Sequence, residues 1–328
     1  DDLQTNGSSL NNVRVKTSGT GSWYSNNWTS RKAVTVQESL INEDLTNFPV
    51  YVNLADLGST FFSNVQSNGA DIRVTASDGV TEVPYELVSI NTGGQTGELY
   101  FKGSSISSTT NTVFYVYYNN SSAAAYSATS TYGSQNVWTN NYSAVYHFNQ
   151  DPSGTAPQML DSTANARHGS SAGTVGAGKL VAAKIGNGLD FVGTAGDYTV
   201  DFPTFGISGT GSYTFSVWLK TGATTNGAFN DGAGTYMADR TTGTNELAGL
   251  KVIAGNFAHQ YRYNDGSGIG AVSGGAVSGS VWQYVTWGRS YNSNLFVSTN
   301  GTVSTAADSA TALTPPLMRF GGHQGNTS

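Results

Sequence analysis

Three things are scarce in this sequence, and each scarcity removes a class of protein. Cysteine is absent, which rules out a thiol nucleophile and leaves the redox compartment open. Charged side chains make up only 11% of the 328 residues, less than half the usual share. The 15 basic residues are outnumbered by 21 acidic ones, for a net charge of −6. Spread along the whole chain, they leave no basic face to neutralise phosphates, so nucleic acid is excluded as a partner. No apolar run approaches the ~20 residues that cross a bilayer as a helix. The chain opens on Asp1-Asp2 without a leader-like segment, as a processed exported product would.

In place of charge the sequence has 41 Gly and an abundance of Ser, Thr and Asn. Aromatics reach 12%, with 18 Tyr and 6 Trp, whereas a disordered chain would show few aromatics and many charges. This is the composition of short strands joined by tight turns, and it predicts an all-β protein. Few charges and little Lys also fit an extracellular, cell-surface bacterial protein. Seven Asn-X-Ser/Thr sequons occur, at Asn6, Asn27, Asn119, Asn120, Asn141, Asn300 and Asn326, and each is a candidate glycosylation acceptor.

Residues 1–22 form a polar arm with one β-prone stretch from Leu10 to Thr17, in which Val13, Val15 and Thr17 fall on one face. It reads as either a frayed terminus or a strand meant for another sheet. Residues 23–133 read as a first domain with strands at Arg31–Gln37, Phe48–Leu54, Asp71–Ser77, Glu82–Ser89, Glu98–Lys102 and Thr112–Tyr118, and a helical turn near Ser121–Tyr126. Residues 134–328 read as a second, larger domain. Its expected strands include Ala144–Phe148, Gly188–Phe191, Tyr198–Asp201, Tyr213–Lys220, Leu250–Ala254, Ala258–Tyr263, Trp282–Arg289 and Asn294–Ser298. Alternating β-branched and aromatic residues bury one face per strand, so two consecutive β-sandwich domains are expected.

Trp28 with Arg31-Lys32, Phe48-Pro49-Val50, Asp71-Ile72-Arg73, Asp78-Gly79, Pro84-Tyr85-Glu86 and Tyr117-Tyr118-Asn119 resemble, in that order, a bacterial surface family known only as a domain of unknown function. The second domain is similar to laminin-G-like, concanavalin A-type jelly rolls. That likeness is carried by Val145-Tyr146-His147-Phe148, Asp161-Ser162-Thr163, Gly186-Asn187-Gly188-Leu189-Asp190-Phe191, Phe215-Ser216-Val217-Trp218-Leu219-Lys220, Trp282-Gln283-Tyr284-Val285 and Phe320-Gly321-Gly322. The resemblance implies one further strand after Gly321-Gly322, and the sequence stops at Ser328 before it. Either the natural chain continues, or the slot is filled in trans. In the second case Leu10, Val13, Val15 and Thr17 form the candidate donor strand, and subunits would join head-to-tail.

Catalytic chemistry finds little support. Glycosidases of concanavalin A-type folds carry paired carboxylates on one strand, and no such cluster occurs here, Glu246 being the one glutamate of the second domain. No Gly-X-Ser-X-Gly elbow is present, and His147, His168, His259 and His323 lack metal-ligand spacing. No cofactor is expected except calcium, which related jelly rolls bind through loop oxygens; Asp161, Asn165 and Asp197 are the candidate ligands. Tyr236, Tyr261, Tyr263 and Tyr291 lie near expected loops and are candidates for stacking on sugar rings. The reading that combines these features is a structural subunit of an extracellular filament, with copies of itself as partners. The alternative is a carbohydrate-binding adhesin module recognising a surface polysaccharide, and a polysaccharide-active enzyme ranks third.

Overall fold

The computed structural model describes residues 13–16, 22–191, 198–203, 205–206, 210–221, 235–239, 249–262, 269–308 and 318–321. It is nearly all strand. Among the described residues the helical content is three short 3-10 turns and one six-residue α-helix, Ser59–Asn64. No helix among them is long and apolar enough to cross a membrane. The chain divides into two compact units, residues 1–145 with 162–166, and residues 146–161 with 167–328.

The first unit is a sandwich of two antiparallel sheets. Its strands are β1 (Val13–Lys16), β2 (Ser30–Val36), β3 (Leu45–Asn53), β4 (Arg73–Thr75), β5 (Glu82–Val83), β6 (Tyr85–Asn91), β7 (Thr96–Ile106) and β8 (Thr112–Tyr118). One sheet has the order β1-β2-β8-β4-β5 and the other β3-β7-β6. Val34, Phe114, Val116 and Val74 from the first sheet meet Val50, Val52, Leu99 and Phe101 from the second in one buried core, with the rings of Phe101 and Phe114 4.7 Å apart. Pro84, which has no N–H to give a ladder, divides the expected strand Glu82–Ser89 into β5 and β6. Past residue 133 the unit still buries Val137 and Trp138; Trp138 donates from Nε1 to Glu86 Oε2 at 2.6 Å and packs on Tyr100.

The N-terminal strand is held by its own chain. Val13, Arg14, Val15 and Lys16 pair antiparallel with Val36, Thr35, Val34 and Ala33 of β2. A turn is formed at Ser121-Ser122, where the Ala123 N–H donates to the Asn120 carbonyl at 3.2 Å, and the one α-helix among the described residues lies at Ser59–Asn64, burying Phe61 and Phe62.

The strands of the second unit are β9 (Ser170–Ala172), β10 (Leu180–Ala182), β11 (Asn187–Leu189), β12 (Thr199–Phe202), β13 (Tyr213–Lys220), β14 (Thr235–Asp239), β15 (Gly249–Ile253), β16 (Asn256–Arg262), β17 (Ile269–Ala276), β18 (Trp282–Ser290), β19 (Asn294–Thr299), β20 (Thr302–Ala307) and β21 (Met318–Gly321). They form a seven-stranded sheet, β17-β16-β15-β14-β21-β12-β9, a four-stranded sheet, β13-β18-β19-β20, and the hairpin β10-β11. The two large sheets close on each other most tightly where β17 carries Gly274 and Gly275. A Cβ on Gly274 would lie 2.6 Å from Val297 Cγ1, and one on Gly275 2.8 Å from Thr299 Cβ. Gly274→Val is therefore expected to overpack this contact and lower stability by about 1–3 kcal/mol, to be read from a denaturation midpoint; an unchanged midpoint would show that β17 can move away.

The expected strand Ala144–Phe148 is not formed. Phe148 has φ +51°, which ends an extended run, because side chains rarely tolerate the left-handed region. Its ring and that of Tyr146 instead pack on Phe320 and Phe202, with centroids 5.8 and 4.5 Å apart.

A candidate binding face on the four-stranded sheet

Register decides which side chains of the four-stranded sheet point outward. In β18 the residues Gln283, Val285, Trp287 and Arg289 are buried, whereas Trp282, Tyr284 and Thr286 alternate to the other face. Pairing sets Trp218 of β13 opposite Tyr284, and Lys220 opposite Trp282. The Trp218 and Tyr284 rings meet at 5.2 Å with their planes tilted by 45°. Lys220 Nζ lies over the Trp282 ring at 5.4 Å, and Lys184, from the turn between β10 and β11, lies over Trp218 at 5.5 Å. Successive outward residues of one strand are about 7 Å apart, so these side chains form a patch two residues wide and two long.

The surroundings of the patch are apolar or hydroxylic. Tyr284 is 39% exposed, Val281 53% and Val303 59%, and Thr214 and Ser216 continue the outward row of β13. None of the four strands contains Asp or Glu. On the side of the sheet away from its core Tyr284 is exposed and Trp218 and Trp282 are half-buried, and exposed apolar patches mark binding sites. Three antiparallel ladders hold the strands of this face in register.

Beneath the face, the inner side holds a polar cluster that is structural. Arg289 Nε and Asp308 Oδ2 form a 2.9 Å ion pair with both side chains fully buried, and Asp308 Oδ2 also accepts from the Asn292 backbone N–H at 2.8 Å. His259 from the opposite sheet lies with Nε2 3.2 Å from the Tyr213 hydroxyl. Burial lowers its pKa to about 4, with the Arg289 charge adding to the effect and nearby backbone and Asp308 opposing it.

The first unit contains an open depression of about 680 Å³ lined by residues that include Asn27, Trp28, Arg73, Asn120 and Tyr126. The Arg73 guanidinium is held between the Trp28 and Tyr126 rings, 5.2 and 4.1 Å from their centroids. It donates to the carbonyls of Ala70, Ile72 and Ala124 and faces Glu82 at 3.7 Å. Burial raises the pKa of Glu82, opposed by hydrogen bonds from Tyr24 and Tyr126 and by the charge of Arg73. The bond to Ala124 and the contact with Tyr126 tie Arg73 to residues 120–126.

The residues singled out from sequence are placed as follows. Of the donor-strand set, Val13 and Val15 lie in β1, while Leu10 and Thr17 fall outside the described residues. Asp161 is buried and accepts the Arg167 backbone N–H at Oδ2, and its own backbone N–H donates to His168 Nδ1. In the first unit Asn165 donates from its side chain to the carbonyls of Tyr142 and Ser143. Asp197 lies outside the described residues, and among those described no group of three or more His, Asp or Glu is placed to hold a metal ion. Tyr236 and Tyr261 lie in β14 and β16, Tyr263 is outside the described residues, and the half-buried ring of Tyr291 carries the Arg289 guanidinium at 4.6 Å. Asn27 and Asn141 are exposed, Asn119 donates to Ser30 Oγ, Asn120 accepts from Ser122 N, and Asn300 accepts from Tyr284 N. Asn6 and Asn326 lie outside the described residues.

The aromatics of the binding face are not legible as a site from sequence, because which strand side chains share a surface is set by pairing register. The available signal is the β18 run Trp-Gln-Tyr-Val-Thr-Trp, in which Trp282 and Tyr284 share the face opposite the buried Val285 and Trp287, more aromatics than a strand with a single buried side needs.

Residues 68–159 match the model of a family described as Domain of unknown function (DUF2341). A search of curated proteins finds no match. Among solved structures, the receptor binding domain of botulinum neurotoxin D is similar at 12% identity and a TM-score of 0.42, over 57% of this chain and 46% of that one. The binding domain of Paraclostridial Mosquitocidal Protein 1 is similar at 12% identity and a TM-score of 0.41, over 53% and 44%. The chain thus spans less than half the length of these structures, and the likeness is too distant to say more of this protein than that its neighbours share its β-rich character.

Proposed function

We propose that the chain is a binding module of an exported bacterial surface protein, adhesin-like rather than catalytic, and that its second unit recognises a polysaccharide. The observation that carries this reading is the Trp218–Tyr284 pair, the phenol exposed and the indole half-buried, on a carboxylate-free sheet face. Sugar rings present apolar C–H faces and hydroxylated edges, and an indole beside a phenol, with Thr214 and Ser216 in the next positions, complements both. The order of motifs along the second unit supports a laminin-G-like jelly roll as its scaffold.

The test is a glycan array probed with the intact chain. Tyr284→Ala and Trp218→Ala are expected to weaken binding about tenfold or more, equivalent to about 1.4 kcal/mol, whereas Trp23→Ala, which truncates an exposed aromatic of the first unit, is expected to leave it unchanged. Equal binding by all three variants would remove the face from consideration.

A second reading, head-to-tail assembly by strand donation, has one observation in its favour. Among the described residues the outer edge of β13 has no strand partner, and an open edge is a template for strand addition. Donation by residues 10–17 would first have to release their pairing with β2. Filaments in negative-stain images that vanish on deletion of residues 1–22 would establish it, and isolated particles alone would dismiss it.

A further inference from the structure

We infer that the outer edge of β13 pairs antiparallel with the same edge of a second copy of the chain, joining two four-stranded sheets across a two-fold axis. This pairing is independent of the glycan reading. Among the described residues β13 has no strand partner on that side, and an open edge is a template for another chain. Folds blunt such edges with proline, bulges or charge. The edge strand β3 carries Pro49 and a left-handed Asn47, φ +53°, and the edge strand β6 has a register break between Leu87 and Ser89. β13, Tyr-Thr-Phe-Ser-Val-Trp-Leu-Lys, contains neither proline nor glycine. Its register with β18 is unbroken from Tyr213 to Lys220, and its one charge, Lys220, stands at the end.

Burial on the core side of the strand points the same way. Phe215, Val217 and Leu219 lie opposite Trp287, Val285 and Gln283 of β18. Those three β18 residues are buried, whereas their β13 partners are only half-buried. A further strand beside β13 would cover them, and the edge itself has the matching pattern. The three apolar residues are spaced symmetrically about Val217. With Val217 opposite its own copy on the axis, Phe215 meets Leu219, Ser216 meets Trp218 and Thr214 meets Lys220. Because side chains alternate between faces, the apolar set then shares the core face of both copies, and no like charges stand opposite one another. The N-terminal arm fits less well, since β1 brings only Val13 and Val15 as apolar residues and already pairs with β2.

The experiment is sedimentation equilibrium of the intact chain up to tenths of a millimolar. The wild-type chain is expected to form dimers and no larger species. Val217→Lys sets two ammonium groups against each other on the axis and is expected to weaken the dimer about tenfold or more. Thr214→Lys opposes Lys220 with a like charge and is expected to weaken it about threefold, whereas Thr214→Glu, which gives Lys220 a partner, strengthens it by about as much. Thr214 is exposed, so these two variants report the contact even where Val217→Lys disturbs the fold. A wild-type chain that stays monomeric, or dimers indifferent to both Thr214 changes, would overturn the pairing. Oligomers that grow without limit and vanish on deletion of residues 1–22 would also overturn it and give the edge to the N-terminal arm.

Discussion

Lowering the pH from 7 to 4 is expected to cost the second unit on the order of 3 kcal/mol of stability through His259 alone. The imidazole of the unfolded chain takes up its proton near 6.5, whereas burial keeps the folded one neutral down to about 4. Between those values the unfolded chain binds more protons, so acid favours unfolding. The contribution is absent above 6.5, grows as the pH falls through the window, and is complete below 4. Carboxylates elsewhere also titrate near its lower end, so the informative quantity is the difference between wild type and His259→Gln. Urea titrations at pH 7 and pH 4.5 are expected to show a steeper loss for the wild type than for the variant. Parallel losses would mean that His259 is protonated in the folded unit.

Asp308→Asn is expected to destabilise the same unit by about 3–5 kcal/mol, the largest single effect anticipated here. Arg289 and Asp308 are both fully buried, so removing the carboxylate's charge takes from a guanidinium in the core the counter-charge that lies 2.9 Å from it. The change also weakens the acceptor for the Asn292 backbone N–H, at the turn joining β18 to β19. Replacing both partners by apolar residues, Arg289→Met with Asp308→Leu, is expected to recover a large part of the loss, because a buried pair is costly to break and much less costly to replace. The check is a pair of denaturant titrations; a double variant as unstable as Asp308→Asn would show that the pair matters for shape rather than charge.

Legibility from sequence followed pattern strength. β8 and β13 were read with their full bounds, because Thr112–Tyr118 and Tyr213–Lys220 are unbroken runs between turn residues. β17, Ile-Gly-Ala-Val-Ser-Gly-Gly-Ala, escaped notice, since glycine weakens strands and its use here, letting β17 approach Val297 and Thr299, is a tertiary fact. Ala144–Phe148 reads as a strand by composition and is none, because the packing of Tyr146 and Phe148 prevailed over propensity. For the binding face, both strands were legible, yet which of their side chains share a surface depends on the register Trp218 to Tyr284. That register is set by β18 pairing with β19 as well as β13, beyond the reach of local pattern. Of the tyrosines named from sequence as sugar-stacking candidates, Tyr236 and Tyr261 fall in β14 and β16 and Tyr291 in the turn after β18, placements that depend on strand bounds local pattern does not fix.

The most direct test of the binding face is oxidative footprinting of the intact chain with and without a polysaccharide that it binds on the glycan array, at saturation. Ligand is expected to protect Tyr284, Trp218 and Trp282 from hydroxyl-radical labelling while Trp23, as exposed as Tyr284 at 39%, labels as before. Labelling of the three residues that stays unchanged while a bound polymer protects others would contradict the account.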